Sequence, residues 1–271
     1  MTDGVLKVGI AGLGTLGSVI AEHLDGGIPG LSLVAVCSRD QDKAKGRLAR
    51  LRNPVPVVAA AELAARADAI VDSAIAKAFA EIAEPAIRAG KILVTVNAGA
   101  LFDHADLIEL AEECGARIVI PSGSAAGLDA LRAAAQEEVC RVTLITRRPP
   151  FGLAGAPYLA EHGISIEGLA APLKVFEGSA LEGARAFPDA MNIVAAVSFA
   201  GVGPERTRLE IWADPKAERN FHRLEVEAAT TQFETEIDNV LAHERARASR
   251  LPALSAIASL RALVETLAVG V

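Results

Sequence analysis

The sequence is poor in cysteine, histidine, basic runs and long apolar runs, and each shortage removes a class of function. Its three cysteines, Cys37, Cys114 and Cys140, stand far apart and odd in number. They offer neither metal-ligand spacing nor a disulfide framework. A reducing compartment suits them. No dense run of Lys or Arg occurs, and 27 basic residues face 34 acidic ones for a net charge of −7. A nucleic-acid partner is therefore not expected. The longest apolar run, IVAAVSFAGVG at 193–203, is too short to span a bilayer. The N-terminal MTDGVLKVGIAGLGTLG has no basic leader and carries Asp3 and Lys7 where a signal peptide needs an apolar core. The expectation is a cytoplasmic protein without a membrane partner. Internal repeats and low-complexity segments are also absent.

What is present is the composition of a globular chain: 271 residues, 51% hydrophobic and 23% charged. That length accommodates one large or two modest domains. Over residues 1–122, short apolar runs such as LKVGIA, LSLVAVCS, ADAIVDSA and KILVTVNAG alternate with amphipathic helical stretches. Strict strand–helix alternation with apolar strands predicts a doubly wound parallel sheet covered on both faces, an α/β Rossmann domain. After Gly123 the texture changes to half-buried strands and a hairpin-like stretch, FHRLEVEAATTQFETEID at 221–238. Residues 123–240 are expected to form a second, α+β domain of mainly antiparallel strands. The apolar tail within 241–271 is read as a helix that packs back on the first domain, since its apolar face needs a partner.

KVGIAGLGTLG carries Gly12, Gly14 and Gly17 as G-x-G-x-x-G. The motif follows a predicted strand and opens a predicted helix, the context it requires. Gly12 permits the tight turn, Gly14 the approach of a pyrophosphate, and Gly17 close helix–strand packing. Thr15 and Leu16 open the helix, whose N–H groups and partial positive charge suit an anion. These five residues are candidate dinucleotide contacts. At the end of the second strand Ser38 and Arg39 precede Asp40. A serine and an arginine suit a 2′-phosphate, so NADP is expected beside NAD. Alternatively, Arg39 stacks on the adenine or stands in solvent.

His222 is one of five histidines, and the alternation from it onward groups it with Leu224 and Val226 on an inward strand face. A buried histidine satisfied by one hydrogen bond is the plain alternative to a catalytic one. Asn192, flanked by Met191 and Ile193, is read as a buried amide in need of partners. Arg147 and Arg148 are read either as supplying one partner for a substrate carboxylate or as a solvated pair; Lys174 and Arg185 are weaker candidates of the same kind. Asn220 is read as a turn residue or strand cap turned away from His222. His23, His104, His162 and His243 are expected to face solvent, and Asp129 to cap or pair locally.

Taken together, GIAGLGTLG, PSGSAAGLDAL (121–131), TRRPP (146–150), GSALEGARAFPDAMNIVAA (178–196) and ADPKAERNFH (213–222) resemble the L-aspartate dehydrogenase family, in order and over most of the chain. The resemblance implies an NAD(P)-dependent oxidoreductase interconverting L-aspartate with iminoaspartate, or with oxaloacetate plus ammonia. It places the catalytic histidine on His222 and further dinucleotide contacts on Ala126 and Asn192. It also implies a homodimer or other homo-oligomer, and in some organisms a role in pyridine nucleotide biosynthesis. His222 would face the nicotinamide from the second domain, as acid/base or as a substrate-binding group. The chain departs from the family at NVLAHERARASRL (239–251) and at the glycine-free VEAATTQF (226–233). These departures bear on substrate pocket or dimer contact more than on fold. A dihydrodipicolinate-type or other imine reductase, or a non-catalytic dinucleotide sensor, is the alternative.

Overall fold

The computed structural model describes residues 4–188, 191–240, 249–267 and 269–270. The chain divides into two compact units, Met1–Gly123 with Pro252–Val271, and Ser124–Leu251. In the first, six strands form one sheet: β1 (Leu6–Ala11), β2 (Leu31–Cys37), β3 (Val57–Val58), β4 (Ala69–Asp72), β5 (Ile92–Thr95) and β6 (Arg117–Val119). Their order is β3-β2-β1-β4-β5-β6 and every pairing is parallel. This is the doubly wound arrangement, whose strand order reverses between β1 and β4. The connections run through α1 (Thr15–Asp25), α2 (Gln41–Leu48), α3 (Ala60–Arg66), α4 (Phe79–Arg88) and α5 (Asp106–Glu113).

Strands buried on both faces explain the near-continuous apolar runs. Val8, Ile10, Val36, Val71 and Val94 point into one layer with Ile20 and Leu24 of α1. Ile70 and Leu93 point into the other with Leu63, Phe79 and Ile87. The terminal helix of the chain, which spans Leu251–Ala262, buries Ala253, Ala256, Ile257 and Leu260 in the first layer. That spacing of three, one and three residues is one helical stripe.

The second unit contains β7 (Val139–Arg148), β8 (Leu173–Ser179), β9 (Thr207–Ala213), β10 (Asn220–Ala228) and β11 (Gln232–Asn239), ordered β11-β10-β7-β9-β8. Three pairings are antiparallel; β7 and β9 pair in parallel, so the sheet is mixed. The helices of this unit are α6 (Leu128–Ala134), α7 (Pro157–Glu161), α8 (Ala180–Ala186) and α9 (Asn192–Ala200); the terminal helix is α10. Helix α8, absent from the sequence reading, is started by a capping box: Ser179 Oγ accepts from Glu182 N while the Glu182 carboxylate accepts from Ser179 N. Among the described residues no helix is long and apolar enough to cross a membrane.

Candidate active site

In the first unit the turn after β1 has one open side and two closed ones. Gly12 has φ of 90°, and a Cβ there would lie 2.5 Å from the Ala74 backbone. A Cβ on Gly17 would lie 2.0 Å from the Gly12 carbonyl oxygen. A Cβ on Gly14 would meet nothing within 4 Å. Gly14 caps α1 without a side-chain bond, and the first turn carries no acidic residue. The first-turn N–H groups of a helix lack intrahelical acceptors, so the open side offers donors to an anion. These residues fit a dinucleotide's pyrophosphate. Thr15 is exposed at the start of the helix, whereas the Leu16 side chain packs on the core. Leu16 therefore has only its backbone to offer a ligand.

The Arg47 guanidinium, on α2, donates to the Leu13 carbonyl and to Ser18 Oγ. It ties the glycine turn to the next helix and borders a cavity of about 500 Å³ with Gly14, Thr15 and Ser18. The sequence reading missed it, because nothing local marks a residue 34 positions from its partner. Asp40 accepts from Lys43 N as the cap of α2. Its carboxylate is thus engaged, while Ser38 is half-buried and Arg39 exposed.

At the carboxyl ends of β4 and β5 lies a fully buried acid, Asp72. Thr95 Oγ1 donates to it at 2.9 Å, Asn97 Nδ2 at 3.0 and 3.1 Å, and Ala74 N at 3.2 Å. Burial pushes its pKa up, and these donors partly oppose the rise. Neighbouring Ser73 Oγ donates to the Gly12 carbonyl at 2.8 Å. The signal available was an acidic residue ending an otherwise apolar parallel strand.

In the second unit His222 sits on the buried face of β10, 6% exposed, opposite Thr146 of β7 and Ile237 of β11. Its Nδ1 has no hydrogen-bond partner among the described residues. Burial first, and the Arg148 charge second, pull its pKa down to about 3, so the imidazole is neutral. Thr146 Oγ1 and Asn239 Nδ2 are also buried without partners among the described residues. Arg148 shares the face of Thr146, two residues along β7. Arg147 points the other way, over the rings of Trp212 and Phe221 at 5.5 and 5.9 Å.

The expectations for Asn192, Asn220 and His104 are corrected. Asn192 is exposed, because α9 begins at this residue instead of running through it; its neighbours Met191 and Ile193 are the buried ones. Asn220 opens strand β10 itself, so it lies two residues from His222 on the same buried face. Lys174 pairs with Glu177 and Glu210, and Arg185 is exposed. His104 is half-buried against the Phe79 ring at 5.9 Å, whereas His23 and His162 are exposed. His243 lies outside the described residues, as does most of 239–251. Ala126 precedes Gly127, whose φ is 79°, and its carbonyl accepts from Thr235 Oγ1 at 2.9 Å. Asp129 is exposed in the first turn of α6.

Comparison with known proteins places these features in a family. Residues 129–263 match the model described as aspartate dehydrogenase, C-terminal, and residues 12–121 the NAD-binding domain of homoserine dehydrogenase. An L-aspartate dehydrogenase of Bradyrhizobium diazoefficiens is 44% identical over 98% of this chain and 94% of its own. The chain belongs to the L-aspartate dehydrogenase family. Another relative, the L-aspartate dehydrogenase of Methanosarcina acetivorans, is 38% identical over 98% of this chain and the whole of its own. The aspartate dehydrogenase structure from Thermotoga maritima superposes with a TM-score of 0.73, covering 97% of this chain and 99% of that one at 22% identity. That likeness supports the family's fold.

Proposed function

We propose that the chain is an NAD(P)-dependent L-aspartate dehydrogenase in which His222 handles the proton. The observation that carries the proposal is a neutral, buried imidazole with an unpartnered Nδ1, in a member of this family. The cofactor supplies hydride acceptance when bound, and the protein supplies position and proton handling. Gly12, Gly14, Thr15, Leu16 and Gly17 would hold its pyrophosphate, Ser38 and Arg39 the adenosine end, and Ala126 and Asn192 further parts. An exposed arginine, with the nearby carboxylate engaged as a helix cap, supports acceptance of NADP beside NAD.

L-Aspartate reaches the site as an ammonium ion, which must lose a proton before its Cα–H leaves as hydride. A neutral imidazole accepts that proton. The two substrate carboxylates raise its basicity on binding, since an opposite charge favours the imidazolium. The products are iminoaspartate and reduced cofactor; water then converts iminoaspartate to oxaloacetate and ammonia. In the reverse direction the imidazolium returns the proton. A homodimer in the cytoplasm belongs to the same reading, supported by the family and by three free thiols; sedimentation tests the dimer.

The test follows reduced-nicotinamide absorbance with L-aspartate and NAD or NADP, then with oxaloacetate, ammonium and NADH or NADPH, beside His222→Ala. Turnover that collapses in the variant while cofactor binding persists supports the proposal. Cofactor binding without turnover in either direction refutes it, and turns attention to cyclic imines or to a sensor.

A further inference from the structure

The buried face of the second sheet carries a polar group that folding alone does not require. In its lower rows Leu209, Leu144 and Leu224 stand side by side, as do Val142 and Val226, and the hydroxyls of Thr207 and Thr235 there donate to the Gly203 and Ala126 carbonyls. At one end this gives way to Thr146, His222, Arg148, Asn220 and Asn239. Thr146 is 1% exposed, His222 6% and Asn239 4%, and each holds a polar atom without a partner among the described residues. Leaving such atoms unbonded in a core is destabilising. Three together, on adjacent strands and facing one way, mark a place where a ligand completes the bonding.

The sign of that ligand follows from the charges. Strand register puts every carboxylate of the five strands on the opposite face, where Glu177, Glu227 and Glu236 pair with Arg208, Arg141 and Arg223. Among the described residues of the five strands, the inner face carries one cation, Arg148, and no acid. A hydroxyl, an amide NH₂ and a guanidinium on one face of three neighbouring strands suit a carboxylate, which accepts up to four hydrogen bonds.

We propose that Arg148, Thr146 and Asn239 bind a carboxylate of the dicarboxylic substrate, beside the imidazole of His222. This rests on the proposed aspartate chemistry and adds its recognition element. The acid group and the proton acceptor are then presented by neighbouring strands of one sheet.

Thr146→Val separates a ligand group from a structural one. The replacement keeps the shape and removes an unbonded hydroxyl, so thermal stability should hold or rise. KM for L-aspartate should rise roughly threefold to tenfold with kcat little changed. Arg148→Ala should raise it by roughly tenfold to a hundredfold, with partial rescue in Arg148→Lys. Asn239→Ala should fall between. Succinate, a dicarboxylate without an amine, provides a second readout: its affinity for the cofactor-loaded protein, by calorimetry, should fall in the same order while cofactor affinity stays level. Normal L-aspartate turnover with KM and succinate affinity unchanged in Thr146→Val and Arg148→Lys would overturn the assignment and leave the activity standing. Succinate binding that weakens in the variants, in a wild type inactive on L-aspartate, would support the carboxylate site and overturn the activity. Wild type that neither turns over L-aspartate nor binds succinate would sink both.

Discussion

Acid should destabilise this protein through one imidazole. In the unfolded chain His222 titrates near 6.5, whereas in the folded chain burial and then the Arg148 charge lower its pKa to about 3. Between those values the unfolded state binds a proton that the folded state does not. The depressed histidine therefore makes stability rise with pH across this window and fall as the medium is acidified. Worked through the linkage relation, the loss at about pH 5 relative to about pH 7.5 is roughly 2 kcal/mol, and the full descent costs roughly 5 kcal/mol. His222→Asn removes the titration and keeps a polar side chain. The only tryptophan, Trp212, lies on β9 of the sheet that holds His222. Its fluorescence in urea titrations thus reports the relevant unit. Wild type should lose about 2 kcal/mol more than the variant between those two pH values. Titrating groups elsewhere, Asp72 included, are shared by both proteins and cancel in the difference. Equal losses would mean that the folded protein protonates His222 freely, and the argument from burial would fail.

The three glycines of the turn should separate folding from binding. Gly14→Ala meets no atom, so stability should change by less than about 0.5 kcal/mol while cofactor affinity falls roughly tenfold; a variant that binds normally refutes the open-side reading. Gly12→Ala and Gly17→Ala collide with backbone and should lose about 3 kcal/mol or more by thermal unfolding. Asp72→Ala strands Thr95 and Asn97 and should cost about 3 kcal/mol, while Asp72→Asn, which keeps one acceptor and removes the buried charge, should cost less. Because burial raises the Asp72 pKa, wild type should lose stability relative to Asp72→Asn as pH rises above the ordinary carboxylate range. Arg39→Ala should raise KM for NADP about tenfold and leave KM for NAD nearly unchanged, a ratio read directly from initial rates; equal effects would show that the side chain does not meet a 2′-phosphate.

The doubly wound unit was legible because each of its strands is buried on both faces and so appears as an apolar run between helices. The 221–238 hairpin was legible for the same kind of reason: its signal is local. What escaped was set at a distance or by a boundary. The parallel β7–β9 pairing depends on the path of the chain through β8, which no alternation pattern encodes. The exposure of Asn192 goes with α9 starting at that residue. The placement of Asn220 turns on where β10 begins. The Asp72–Thr95–Asn97 network joins residues more than twenty positions apart, and Arg47 reaches further still.

The same contrast explains why His222 was recognisable at all. Alternation alone put an imidazole on an inward face, and a core built only for stability would hold valine or leucine there. The structure adds that Thr146 and Asn239 break the pattern beside it, each with an unbonded atom. Orphaned atoms of this kind cost about 1–3 kcal/mol each. Sequence and fold agree almost everywhere else in this sheet, so a local conflict on this scale needs a reason outside folding. A carboxylate with vacant lone pairs would satisfy the hydroxyl and the amide, and its charge would be balanced by Arg148. It would also raise the basicity of His222 only when substrate is present. The imidazole would then stay neutral in the free protein and become an effective proton acceptor on binding.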